Sequence, residues 1–182
     1  FCTTRSGGIS LGGFDSFNLA THVEDDPAAV AVNRQRLVQD LALPAEPEWL
    51  NQTHSIHAIA LDRECSREGD AAVTSKVGRV AVVLTADCLP VLLCNRQGSE
   101  VAAAHAGWRG LLDGVLERTV LAMESSPAEV MAWLGPAIGP QQFEVGAEVR
   151  EQFVQQSAAC DVCFVQNRAG HYLADLYELA RL

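Results

Sequence analysis

Residues 79–123, RVAVVLTADCLPVLLCNRQGSEVAAAHAGWRGLLDGVLERTVLAM, hold the pattern that decides the fold. RVAVVLT (79–85) and LPVLLCN (89–95) are apolar runs separated by ADC, and EVAAAHA (100–106) follows the turn NRQGS. Runs this continuous predict strands buried on both faces. From Trp108 the apolar period becomes helical, with Leu111, Leu112, Val115 and Val120 directed inward.

Outward from this centre, the flanks alternate in the same way. On the N-terminal side, DDPAAVAVNRQRLVQDLAL (25–43) predicts a helix with Asp26 as N-cap and Pro27 in its first turn. Val30, Leu37 and Leu41 mark its apolar face, and Asn33-Arg34 on the same helix is a candidate anion-binding pair whose competing reading is a solvated face. FCTTR (1–5) reads as a strand end before the glycine-rich loop SGGISLGGF (6–14). EWLN (48–51) and IHAIALD (56–62) read as short strands joined by QTHS, with the exposed turn RECSREGD (63–70) before AAVTS. On the C-terminal side, VMAWLG (130–135) and DVCFVQ (161–166) read as strands and VGAEVREQFVQQ (145–156) as a helix. HYLADLYELARL (171–182) carries Leu173, Leu176 and Leu179 or Ala180 at helical spacing. The expected class is α/β of the α+β type, a layered sandwich with mixed sheets flanked by helices.

Composition narrows the function classes. The 182 residues are 48% apolar and 20% charged, which excludes a disordered chain, and no apolar run is long enough to span a bilayer. Thirteen Lys+Arg against 23 Asp+Glu leave a net charge of −10, which argues against nucleic-acid and anionic-membrane partners. An anionic small ligand in a locally basic pocket remains compatible. The six cysteines, Cys2, Cys65, Cys88, Cys94, Cys160 and Cys163, need no disulfides in a chain with this Val/Leu/Ala core, so a reducing, cytoplasmic setting is expected. Cys94 reads as a small buried hydrophobe. The chain begins at Phe1 and stops at Leu182 inside a helical pattern, which predicts one domain over 1–182 trimmed from a longer chain.

Three polar residues stand where expected strands hand over to loops: His54 in NQTHS, Cys88 in TADCLP and His105 in AAAHAGWRG. Two imidazoles and one thiolate compose the protein side of a catalytic zinc site, leaving a fourth tetrahedral position open. Zinc there would bring the pKa of its water towards neutrality. The competing reading is a core thiol with two hydrogen-bonded histidines. Asp87 is a candidate general base or ligand-orienting group. Arg109, at a helix start after Gly107-Trp108, together with Arg34 and Arg5, is a candidate anion contact. His22-Val23-Glu24 and Cys160-x-x-Cys163 imitate the two halves of a zinc nucleoside deaminase motif. Ala159 stands in place of the motif's proline and the halves lie at opposite ends of the chain, so that assignment is rejected.

Taken together, TTRSGGIS, FNLATHVEDDPAAVAVNR, WLNQTHS, GDAAVTS, VVLTADCLPVLL, AAAHAGWRG and WLGPAIGP resemble the YfiH-type family. That family is also labelled polyphenol oxidase, laccase domain or peptidoglycan editing factor, and its relatives include the macrophage protein FAMIN. The resemblance implies a layered mixed-sheet fold and a zinc site with His54, Cys88 and His105 as ligands. It implies phosphorolysis of adenosine, inosine, guanosine and methylthioadenosine, with adenosine deamination in the same site. Purine nucleoside and phosphate are then the partners, and a monomer is expected. Arg34 matches a phosphate-binding position, and Arg5, Asn18 and the loop with Arg109 are pocket candidates. The resemblance also implies a short preceding segment and a further C-terminal segment with a strand and an Arg-containing motif. Two other enzyme readings compete: a copper polyphenol oxidase, and a hydrolase with Cys88 as nucleophile and His105 as base acting on peptidoglycan precursors. A non-catalytic nucleotide-binding module is the third.

Overall fold

A computed structural model describes residues 1–182. Its centre is a five-stranded sheet of β1 (Ala58–Ala60), β2 (Ala71–Thr74), β3 (Leu89–Asn95), β4 (Val101–Ala106) and β5 (Val130–Leu134), in the order β1-β2-β4-β3-β5. β1 and β2 run parallel and the other pairs antiparallel, so the sheet is mixed. A second, antiparallel sheet joins β6 (Glu144–Gly146), β8 (His171–Ala174) and β7 (Phe164–Arg168) in that order. Helices α1 (Pro27–Asp40), α2 (Trp108–Asp113), α3 (Val115–Ala122), α4 (Ala147–Gln156) and α5 (Leu176–Leu179) complete the expected α+β layers. None of these helices is long and apolar enough to cross a membrane.

The apolar runs become interior strands as their patterns demand. Ala71, Ala72, Ala102, Ala103, Ala104 and Ala106 are all buried, and these small side chains let α3 lie close to β2 and β4. Leu89, Val91, Leu93, Val115 and Leu176 fill the principal core. A second core holds Val145, Val149, Phe153, Cys160, Cys163, Phe164 and Leu179 beneath the small sheet. Trp108, Leu111 and Phe143 pack against both cores. α1 starts as predicted, with the Asp26 carboxylate accepting the Ala28 N–H and Pro27 in the first turn. All six cysteines are free thiols, and Cys94 is half-buried rather than enclosed.

Several local expectations are corrected. The run 79–85 forms no strand beyond a single parallel bridge between Ala81 and Glu48. Its backbone finds other partners: Val80 C=O accepts from Glu48 N–H, and both polar groups of Leu84 are taken by the Gln52 amide. None of its residues is buried either: 79–84 are half-buried and Thr85 is exposed, and the neighbouring segment 48–52 satisfies the backbone without a ladder. For the same reason 48–51 contributes only isolated bridges. Residues 1–5 are irregular and exposed. The long helix expected after Trp108 divides at Gly114, whose φ of 93° ends α2 and opens α3. Residues 171–174 are strand rather than helix: Leu173 pairs with Val165 and Glu144, and Asp175 then caps a short α5.

Asn33 is not on a solvated face. It is fully buried, its Oδ1 accepts from Ile9 N–H, and its Nδ2 reaches Ser10 Oγ, Ser16 C=O and Asn18 C=O. The glycine-rich loop is thereby wired onto α1.

Candidate metal centre

The registers of three strands assemble the site. In the β3–β4 ladder Leu89 faces Ala106 and Pro90 faces His105, so the TADC turn and the AGW turn leave the same end of the sheet. In the β2–β4 ladder Ala71 faces Ala104, and one step further His105 N–H donates to Asp70 C=O at 2.7 Å. His57 C=O accepts from both Asp70 N–H and Ala71 N–H, which seats the loop carrying His54 beside the same strand end.

His54, Cys88 and His105 meet there, with one ligand atom from each lying within 4.8 Å of the others. Cys88 Sγ is 3.9 Å from His54 Nε2, and the two imidazole rings are 4.8 Å apart, edge to face. Two ligands of a tetrahedral zinc ion lie about 3.5 Å from one another, so modest side-chain rotation brings this set onto one ion. The donors also fit chemically: His54 is exposed, Cys88 half-buried and His105 buried, so the cluster is anchored on one side and open on the other. Gly107 lines the cluster without filling it. A Cβ there would stand 2.9 Å from Cys88 Sγ and 3.0 Å from His54 Cδ2.

Asp70, which sequence reading passed over, is fully buried beneath the cluster. Its carboxylate accepts from Thr53 N–H, His54 N–H, Ser55 N–H, Ser55 Oγ and His105 Nδ1. Burial pushes its pKa up, but the His105 and Ser55 bonds outweigh it and hold the carboxyl down at about 2. Burial likewise pushes His105 down, and hydrogen bonding to Asp70 and Cys88 overrides it, raising the imidazole to about 9 in the metal-free chain. His54 has a φ of 59°, a left-handed conformation uncommon outside glycine and concentrated at functional positions. A carboxylate immediately preceding an all-apolar strand, as Asp70 precedes AAV, was the available signal.

The remaining candidates fall into two groups. Asp87 is exposed on the turn beside Cys88; its C=O accepts from Ile138 N–H and its carboxylate has no partner in the chain. Arg109 is exposed, with its guanidinium 4.4 Å over the Trp108 ring, and α2 behind it is only six residues long. Arg34, Arg5 and Asn18 form a separate N-terminal group whose hydrogen bonds do not reach the His–Cys–His cluster. Arg34 Nε donates to Leu19 C=O, its guanidinium stacks 3.9 Å from the Trp49 ring, and both terminal nitrogens are unbonded. Burial lowers its pKa, partly offset by Glu46. It borders an open cleft of about 460 Å³ with Gln35, Gln39 and Glu46. Arg5 grips Asp15 C=O through two nitrogens, rather than an acidic side chain. Asn18 spends its amide on Ala20 and Asp25.

Known proteins match this chain over nearly all of its length. The family model described as "Multi-copper polyphenol oxidoreductase laccase" matches residues 1–182. The purine nucleoside phosphorylase YfiH of Escherichia coli is 51% identical over 181 residues, covering 98% of this chain and 74% of the relative. The purine nucleoside phosphorylase PA4543 of Pseudomonas aeruginosa is 49% identical, covering 99% and 74%. Among solved structures, protein NMB0706 of Neisseria meningitidis superposes with a TM-score of 0.93 at 46% identity, covering 98% of this chain and 74% of that one. YlmD of Geobacillus stearothermophilus gives 0.90 at 28% identity, covering 99% and 73%. By full-length sequence match and by fold alike, the chain belongs to the YfiH-type, laccase-domain family.

Proposed function

We propose that the chain is a zinc-dependent, cytoplasmic purine nucleoside phosphorylase that also deaminates adenosine. The observation that carries this reading is the convergence of His54 Nε2, Cys88 Sγ and His105 on one point at a sheet end. It is supported by relatives near 50% identity that bear the phosphorylase name. Zinc held by these three residues would supply Lewis-acid chemistry to a bound substrate or water.

The chain's own residues supply the rest. Phosphorolysis forms a bond from a phosphate oxygen to ribose C1′ as the C1′–N9 bond breaks, so it needs a fixed phosphate and a neutralising cation. Arg34 offers both terminal nitrogens for that clamp, held rigid by Leu19 and Trp49. Arg109, exposed and stacked on the Trp108 ring, is a second cation two residues from Gly107. In deamination a water adds to purine C6 as it loses a proton, the C6–N6 bond then breaks and ammonia leaves; the unpartnered Asp87 carboxylate beside Cys88 accepts the water proton and returns it to the departing nitrogen. Arg5 and Asn18 shape the loop that holds Arg34. Adenosine, inosine, guanosine and methylthioadenosine are the substrates to test.

The test is incubation of zinc-loaded protein with adenosine and phosphate, resolving adenine, ribose-1-phosphate and inosine. Product that disappears in Cys88→Ala is expected; no product, or product undiminished in that variant, overturns the reading.

Copper is the second occupant to weigh, because the family description names it and His₂Cys is also a copper set. The axial methionine of such sites has no source here. Met123 is buried in the core, and Met131 pairs with Cys94, six residues from Cys88 and about 20 Å along the strand. Anaerobic copper loading is expected to give no intense visible thiolate band.

A further inference from the structure

We propose that Asp70 is the positioning residue of this centre: through its buried carboxylate it selects Nε2 of His105 as the ligand atom and sets the backbone from which His54 reaches the same point. This rests on the metal-centre reading above and adds to it the device that builds the centre.

Asp70 is fully buried, and a buried carboxylate is costly unless its oxygens are well bonded. Five donors converge on it from two distant segments. Oδ1 lies 2.8 Å from His105 Nδ1 and accepts His54 N–H at 3.0 Å. Oδ2 accepts Thr53 N–H at 3.1 Å, Ser55 N–H at 2.6 Å and Ser55 Oγ at 2.8 Å. One carboxylate oxygen is therefore shared by two of the three candidate ligands.

Two consequences follow from the chemistry. A carboxylate only accepts, so His105 keeps a proton on Nδ1, and in the neutral imidazole that ligation requires the free lone pair is on Nε2. Three consecutive backbone N–H groups, 53 to 55, wrap the same carboxylate, and this wrap holds His54 at its φ of 59°. Had the carboxylate served only to staple the loop, the bond to His105 would be superfluous. The opposed strand positions of Asp70 and His105 provide it all the same. Carboxylates in this relation to a ligating imidazole also raise its basicity, and their removal costs about 10- to 100-fold in metal affinity.

The experiment titrates metal-free wild type, Asp70→Asn, Ser55→Ala and Cys88→Ala with Co²⁺, following the thiolate charge-transfer and d–d bands, and repeats it with Zn²⁺ against a chromophoric chelator. Expected is a loss of about 10- to 100-fold in affinity with altered d–d bands in Asp70→Asn, and an affinity much closer to wild type in Ser55→Ala, which removes the Oγ bonds to Asp70 and His57 N–H but leaves the Asp70–His105 bond in place. If wild type takes up no metal, or Cys88→Ala takes up as much, the metal-centre reading fails and this proposal with it. If wild type binds through Cys88 and Asp70→Asn binds within twofold of it, or Ser55→Ala loses as much as Asp70→Asn, the positioning role alone fails. Should Asp70→Asn not fold by circular dichroism, ¹⁵N-histidine NMR of zinc-loaded wild type decides. A proton on His105 Nδ1 with Nε2 metal-bound is expected; the reverse overturns the proposal.

Discussion

Cys88 and Gly107 stand across from one another, each one step beyond the last ladder pair, Leu89 with Ala106, and the space between them is the space the cluster occupies. The β3–β4 register thus does more than hold the sheet: it places a thiol opposite the one residue type that leaves room for a ligand.

Gly107→Ala tests that room. The backbone there has a φ of −70°, which alanine adopts without strain, so only the new Cβ acts. It would sit 2.9 Å from Cys88 Sγ and 3.0 Å from His54 Cδ2, and one of the two must move. The variant is expected to keep its thermal midpoint within a few degrees while losing at least about tenfold in zinc affinity. Chelator competition beside a thermal melt checks both halves.

The pH dependence of the metal-free chain follows from the buried pair. Asp70 lies at about 2 in the fold against an ordinary 3.8, so its contribution is present above 3.8 and is lost as pH falls towards 2. His105 lies at about 9 against 6.5, so its contribution is full below 6.5 and is lost as pH rises towards 9. The metal-free protein is therefore expected to be most stable between about pH 4 and 6.5 and to weaken by a few kcal/mol at alkaline pH. Urea unfolding across pH 4 to 9 measures it; a flat profile above pH 6.5 would contradict the pairing.

Asn33→Ala removes the amide that ties Ile9, Ser10, Ser16 and Asn18 to α1. Ile9 N–H loses its acceptor on a part-buried site. A destabilisation of about 2–3 kcal/mol is expected, with proteolysis of residues 1–25 accelerated first. Guanidinium unfolding and limited digestion report the two effects.

Tyr177→Phe probes a brace between the principal core and the sheet end that carries the His–Cys–His cluster. The phenol donates to Gly135 C=O at 3.0 Å and accepts from Ala137 N–H at 2.8 Å, while the next residue, Ile138, bonds Asp87 C=O beside Cys88. Loss of about 1–2 kcal/mol is expected, together with faster amide exchange at 137 and 138.

The cysteines should separate by accessibility. Cys2 and Cys65 are exposed, whereas Cys160 and Cys163 are buried, and burial, with Cys160 nearby, pushes the Cys163 thiol up to about 11. At pH 8, iodoacetamide is expected to label Cys2 and Cys65 within minutes and to spare Cys160 and Cys163 until denaturant is added. Mass spectrometry of tryptic peptides reads the pattern, and zinc should protect Cys88.

Local chemistry was legible where one segment carries the whole signal. Asp26-Pro27 announced α1, the apolar runs after Cys88 and before His105 announced β3 and β4, and the three candidate ligands stood out as polar residues where expected strands hand over to loops. The misreadings share a cause. Residues 79–85 look like a buried strand because the run is apolar, yet the segment is only half-buried, and the Gln52 side chain and a neighbouring loop serve its backbone. Leu173 fits a helical period with Leu176 and Leu179, but its ladder partners, Glu144 on β6 and Val165 on β7, are set by strand pairing, which a helical-period argument does not test.

By itself, then, the sequence determined the layered α+β class, the strands that flank the centre, and the identities of His54, Cys88 and His105, because these depend on residue type and short-range pattern. Tertiary structure decided that the three meet, that Gly107 leaves them space, and that the Asp70 carboxylate, rather than any neighbour in sequence, hydrogen-bonds two of them. Those facts depend on strand register, and register is a property of paired segments: only when β2, β3 and β4 align does the residue before one strand come to lie under the histidine at the end of another.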